Sequence, residues 1–195
     1  MNLVRFGLAG LLLGAAAPVL AQDCPRPDGR SRLVLERSDA STEVSVRQPL
    51  VVAETKFRNG SSVKTTYYQG LVELDRVQRD RVFVFKPKAP LDKFFPIKPN
   101  AVFRFDAEQG EEGQKLRQAT VELAVVGARK FSIGRCTATL WLIERRIPAA
   151  GSDMRVAETY YYSEEFKSIL AREYPESGGR REVISYTRMS QQASD

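Results

Sequence analysis

Side chains change sides residue by residue along most of this 195-residue chain. Phe103 and Phe105 oppose Arg104 and Asp106, Val82 and Val84 oppose Phe83 and Phe85, and Val121, Leu123 and Val125 share one side of their segment. A period of two sends successive side chains to opposite faces of an extended strand, so the pattern reads as strands rather than helices. Such segments are expected over residues 33–37, 50–58, 63–69, 71–76, 81–86, 101–108, 116–126, 131–145, 155–162 and 182–188, parted by turn residues. Between two of them, Asn59-Gly60 can take the positive φ that closes a hairpin. Residues 131–145 are apolar on both sides, with Cys136, Ala138, Leu140 and Leu142 on one and Trp141 and Ile143 on the other. A strand of that kind belongs inside a sheet. About nine to ten strands at this spacing predict an all-β protein: one antiparallel sheet, strongly curved or closed into a β-barrel, with at most one short helix. The helix candidate is 163–174, where Phe166, Ile169, Leu170 and Tyr174 recur at near-helical spacing behind Ser163. A tight turn followed by a strand over 168–173 fits the same residues.

The first residues read differently. Arg5 supplies a positive start, residues 6–17 form an uncharged apolar run, and Val19-Leu20-Ala21 is a small-residue ending before Gln22. That order is the order of a secretory signal peptide. The run is short for a membrane span of about 20 residues, and Pro18 closes it. Cys24 follows Gln22-Asp23 rather than small residues, which argues against a lipid anchor there. The expected product is a periplasmic or secreted protein with one β-rich domain over residues 22–189 and a polar tail, 190–195, that frays. An outer-membrane barrel would need an unbroken lipid-facing apolar band, and Glu36-Arg37 and Glu144-Arg145-Arg146 put charge on both faces of a strand.

The two cysteines, Cys24 and Cys136, are even in number, are not spaced C-x-x-C, and enter an oxidising compartment. One structural disulfide is expected, with two buried thiols as the alternative. The net charge of +6 is spread along the chain and reads as a solvated surface with, at most, weak attraction to anionic envelope surfaces. Export makes nucleic acid an unsuitable partner, and a membrane-spanning role is not expected.

No histidine occurs. The commonest general base at neutral pH, the usual zinc ligand and every Ser-His or Cys-His triad are therefore missing. No nucleophile elbow, phosphate-binding loop or dinucleotide fingerprint is present. No cofactor or metal is expected. Asp106, Glu108, Glu111 and Glu112 lack calcium-loop spacing and read as a solvated hairpin tip. Paired carboxylates remain the one catalytic option, because sequence does not show which strands pair.

Two stretches stand out. In residues 86–100, Pro87, Pro90, Pro96 and Pro99 alternate with Lys86, Lys88, Lys93 and Lys98 around Phe94-Phe95. Prolines so dense exclude a central strand. Lys88, Lys93, Phe94, Phe95 and Lys98 form a candidate interaction loop, unless the loop folds over one end of the sheet with its phenylalanines inward. The tyrosines Tyr67-Tyr68 and Tyr160-Tyr161-Tyr162 alternate faces, which suits a ligand cavity or ordinary cross-strand packing.

Over residues 129–186, the stretches RKFSIGRCTATLWLIERR and VAETYYYSEEFKSILAREYPESGGRREVISY resemble β-rich bacterial envelope domains of unknown function. In those, a small-residue turn precedes a TxWYSPELGxxVxxE hairpin. Gly134 to Thr137 stand at the turn, Thr159 to Ser163 with Glu165 at the hairpin, and Glu173 at its closing acid. Tyr161 replaces the tryptophan, Glu164 the proline and Lys167 the glycine. The resemblance implies a curved antiparallel sheet, favours turn-plus-strand over 163–174 and implies no activity.

The expectation for function is a non-catalytic envelope binding module for a lipid or protein ligand. A structural or interaction protein without a small-molecule site and a carboxylate-dependent hydrolase are the alternatives.

Overall fold

The computed structural model describes residues 24–27, 29–148, 153–175 and 180–193, and the expected export signal, residues 1–21, lies outside them. The alternating segments form one antiparallel sheet of thirteen strands. They are β1 (Ser31–Arg37), β2 (Ala40–Arg47), β3 (Leu50–Phe57), β4 (Ser62–Tyr68), β5 (Val72–Gln78), β6 (Arg81–Pro87), β7 (Val102–Glu111), β8 (Arg117–Ile133), β9 (Cys136–Pro148), β10 (Met154–Ser163), β11 (Ser168–Pro175), β12 (Arg181–Ser185) and β13 (Arg188–Ala193). Neighbours in sequence are neighbours in the sheet from β1 to β12, and β13 pairs with the free side of β1. Among the described residues a single 3-10 turn, Leu91–Phe94, interrupts the strands. Among the described residues no helix is long and apolar enough to cross a membrane.

Thirteen strands replace the expected nine to ten. One missed strand is β2, whose Val44 and Val46 stand among polar residues. Another is β13, which takes in residues 190–193 of the tail expected to fray and pairs with β1 from Glu36↔Arg188 to Ser31↔Ala193. Its sequence is polar because it needs only a backbone partner, and a period of two cannot reveal such a partner. The stretch 131–145 is two elements: β8 runs on to Ile133, and Gly134-Arg135 turns the chain into β9. Residues 163–174 are a turn and a strand. The Ser163 hydroxyl accepts the Phe166 N–H at 3.1 Å and Lys167 takes φ 48°, which begins no helix but delivers the chain into β11.

The hydrogen-bonded ladder is open, so the sheet is curled rather than a closed barrel. Its two edges are nevertheless joined by the chain. At Tyr186-Thr187 the last segment steps from β11 to β1: the Tyr186 N–H donates to Leu170 O (3.2 Å), and the Thr187 N–H to Glu36 O (2.8 Å).

The curl creates two cores separated by β10 and β11. One gathers Leu71, Phe105, Val121, Leu123, Val125, Ile143, Tyr160 and Tyr162 inside the curl. The other gathers Leu33, Leu35, Val44, Val51, Leu140, Tyr161, Phe166 and Leu170 on the opposite face. Being covered on both faces, Tyr160, Tyr161 and Tyr162 are all buried. β9 is interior as expected, with Leu140 in one core and Ile143 in the other.

The Cys24–Cys136 disulfide closes a separation of 112 residues and ties the first described residues to the β8–β9 turn. At the same end of the strands, the turn before β5 meets the turn before β11. Gly70 has φ +73°, and a Cβ there would lie 1.9 Å from the Lys167 carbonyl oxygen. Only glycine fits.

Candidate functional site

The proline-rich connection between β6 and β7 closes one end of the curl. Phe94 is buried and stacks on Phe103, with ring centroids 5.6 Å apart. Phe95 packs against Tyr68 and Tyr162 at 5.9 and 6.5 Å. Glu164, from the turn after β10, fastens this plug, accepting the Ile97 N–H (3.1 Å) and the Trp141 indole N–H (3.2 Å). The cations of the candidate interaction loop stay outside: Lys93 and Lys98 are exposed, and Lys88 bonds Gln118 at 2.9 Å and Glu108 at 3.0 Å. The structure thus separates the two phenylalanines from the three lysines. Phe94 is core, and the half-buried Phe95 packs against it.

Beneath the plug, inward-facing positions advance two residues at a time. Phe103, Val125, Ile143 and Tyr162 form a packed layer. Two residues further along each strand, Phe105, Leu123, Arg145 and Tyr160 line a cavity of about 820 Å³. The cavity lies toward the end that holds the β5–β6 and β7–β8 turns, where Arg81, Glu111, Lys115 and Arg117 also line it. Strands β5 to β8 contribute a mixed wall, in which Val72, Phe83, Phe85, Phe105, Val121 and Leu123 stand beside Glu73, Arg76 and Gln109. Strands β9 to β11 contribute a charged one.

Register explains the charged wall. β10 carries an irregularity between Val156 and Glu158, so that Glu158, rather than Ala157, stands opposite Arg145 of β9. On the other side of β10, Tyr160 stands opposite Arg172 of β11. The Glu158 carboxylate accepts the Tyr160 hydroxyl at 2.8 Å and lies 3.4 Å from both Arg145 Nη1 and Arg172 Nη1. Arg172 also donates to the Tyr67 hydroxyl at 3.0 Å and lies over the Tyr160 ring at 5.2 Å. Burial pushes the Tyr160 phenol well above its ordinary range, and the Glu158 charge pushes the same way, so it stays a hydrogen-bond donor. Burial disfavours the Arg172 charge, but Tyr67, Tyr160 and Glu158 outweigh it and hold the guanidinium cationic. At the mouth, Arg81 grips Glu111 through two nitrogens (3.1 and 2.5 Å), and Arg76 and Arg81 both lie over Phe83.

Glu73 lines the same cavity. Burial raises its carboxyl above the ordinary 4.5, with Arg76 and Arg172 opposing and Glu158 reinforcing. The folded state therefore holds a proton that the unfolded chain releases, so this group's stabilising contribution is full below 4.5 and is lost as pH rises through the folded value. Glu73→Gln is expected to match the wild type below that pH and to melt higher at neutral pH. Melting curves at the two pH values check this; equal melting temperatures at neutral pH would contradict it.

Sequence reasoning missed Arg145, Glu158 and Arg172. A signal was present: Arg145 follows Ile143 by two, and Glu158 precedes Tyr160 by two, so both share the side of residues read as buried. Which strands flank β10 was not legible. The acidic residues near the β7–β8 turn are paired rather than clustered: Glu108 with Lys88, Glu111 with Arg81, and Asp106 with the Thr120 hydroxyl at 2.6 Å. Among the described residues, no group of three or more His, Cys, Asp or Glu side chains could hold a metal ion.

No protein-family model matches the chain. No curated protein matches it either. Among solved structures, the chain is similar to the hypothetical lipoprotein YmcC from Escherichia coli (K12), at 13% identity over 86% of each chain with a TM-score of 0.48.

Proposed function

We propose that this chain is an exported, non-catalytic binding module that holds a lipid-like ligand inside its curled sheet. The observation that carries the reading is the cavity of about 820 Å³, in which Phe83, Phe85, Phe105, Val121 and Leu123 form an apolar patch among polar side chains. Small-ligand sites occupy about 300–1,000 Å³ and combine apolar linings with a few placed polar groups. A sheet that keeps an open-mouthed space of this size forgoes close packing there, and a space of that kind suits an occupant. The disulfide supports a place outside the cytoplasm, since such bonds persist in oxidising compartments.

The test is titration with N-phenyl-1-naphthylamine, a neutral probe whose fluorescence rises in apolar surroundings. Saturable binding of one probe per chain is expected. Val121→Trp and Leu123→Trp, which fill the cavity from β8, are each expected to weaken it about tenfold or more, a loss of roughly 1.4 kcal/mol. Circular dichroism and a melting curve establish that each variant is folded, because overpacking itself costs about 1–3 kcal/mol. Probe binding that is absent from the wild type, or untouched in both folded variants, would sink the reading.

A further inference from the structure

Within the cavity-binding reading, on which this inference rests, we propose that the ligand carries an anionic group, a carboxylate or a phosphate, on its apolar body, and that Arg145 and Arg172 hold that group. The guanidinium fork is the side chain best matched to the paired oxygens of either anion. Here two forks converge from strands on either side of β10, with one carboxylate between them.

That carboxylate does not satisfy them. Its distance to each guanidinium is 3.4 Å, against about 2.7–2.9 Å for a well-made charge-assisted bond. Each guanidinium carries about five N–H donors. Among the described residues, Arg145 has Glu158 as its hydrogen-bond partner, and Arg172 has Glu158 and Tyr67. The remaining donors belong to side chains that line the cavity.

Charge leads to the same class of ligand. Two guanidiniums against Glu158 leave one positive charge over. Glu73 has its own ion-pair partner in Arg76 at 3.7 Å, and burial raises its carboxyl above the ordinary value. A half-buried, uncompensated charge is unfavourable, because a lowered local dielectric strengthens its pull on any counter-ion. The cavity as a whole repeats the imbalance, with six cationic side chains lining it against three carboxylates. The rim residues Lys115 and Arg117 extend the positive field to the mouth and favour entry of an anion. The hydrocarbon body then lies against Phe85, Phe105, Val121 and Leu123 while the anion meets β9 and β11. A cationic amphiphile meets repulsion at the same place.

The experiment displaces bound N-phenyl-1-naphthylamine with four competitors that share one chain length: decanoate, decyl phosphate, decanol and decyltrimethylammonium, all below their micelle concentrations. At least one of the two anions is expected to bind about tenfold or more tightly than decanol, with the cation weakest. A preference for decanoate assigns a carboxylate, and one for decyl phosphate assigns a phosphate; both support the inference. Arg145→Met is expected to abolish the preference for the anion while leaving decanol within about twofold. Arg172→Met, which keeps the Glu158–Arg145 pair, serves if Arg145→Met does not fold.

The outcomes separate the two readings. If the neutral probe never binds, the cavity reading falls and this one with it. If the probe binds but decanol competes as well as both anions, or both folded arginine variants keep the preference, the anionic assignment alone is overturned.

Discussion

Replacing both cysteines, as Cys24→Ser with Cys136→Ser, is expected to lower the unfolding free energy by about 2–5 kcal/mol. The bridge spans 112 residues, most of the described chain. In the chain-entropy account, a cross-link over about a hundred residues removes up to ~4.7 kcal/mol of freedom from the unfolded state, and native effects usually reduce that figure. Urea unfolding of the double variant under non-reducing conditions measures the loss, and wild type in reducing agent should show the same shift. The far-UV spectrum should remain that of a β protein, because the ladder from β1 to β13 does not pass through Cys24. A shift under about 1 kcal/mol would mean that the unfolded chain is already compact enough for the constraint to matter little.

Phe94→Ala should cost about 3–4 kcal/mol, in the range measured for a buried phenylalanine that leaves a cavity. For a chain of this length, that corresponds to a fall in melting temperature of roughly 6–16 °C. Its ring sits between Phe95 and Phe103 in the plug, and deleting it removes the lid under which Tyr162 and Ile143 are buried. Lys93→Ala and Lys98→Ala in the same connection should change stability by no more than about 0.5 kcal/mol. The contrast distinguishes a plug from a docking loop. A Phe94→Ala protein as stable as the wild type would show that the connection does not seal the curl.

Both predictions concern features that were partly visible in the sequence. Oxidising chemistry and an even cysteine count singled out the Cys24–Cys136 pair before any coordinate did. The prolines of residues 86–100 identified a long connection, because proline lacks the N–H that a central strand needs. Whether Phe94 faced solvent or core was not legible, since both roles draw on the same side chain. The answer came from Phe103 and Tyr162, which lie on other strands and were brought beneath the loop by the curl.

The same division runs through the site. Alternation assigned Tyr160 and Tyr162 to one side and Tyr161 to the other, and the two cores receive them accordingly. It did not identify that side as a cavity wall, because sequence records the face of a strand and not the distance to whatever lies across from it. Arg145 and Arg172 are far apart in the chain and become neighbours of β10 only through pairing on its two edges. The irregularity before Glu158 then decides which residue stands opposite Arg145. A one-residue difference of this kind reassigns a whole face, and composition carries no record of it.

What the chain dictated alone was local: extended segments, turns, the sulfur pair and the lack of imidazole chemistry, each fixed by the stereochemistry of neighbouring residues. What tertiary structure decided was everything that depends on two strands meeting. It gave β2 and β13 their partners, folded Phe94 inward, and set two guanidiniums and one carboxylate on the wall of a space lined elsewhere by Phe85, Phe105 and Leu123. The physical reason is that pairing energy resides in backbone hydrogen bonds and burial, which polar and apolar sequences supply alike. Local residues therefore name a strand, and only the fold names its neighbour.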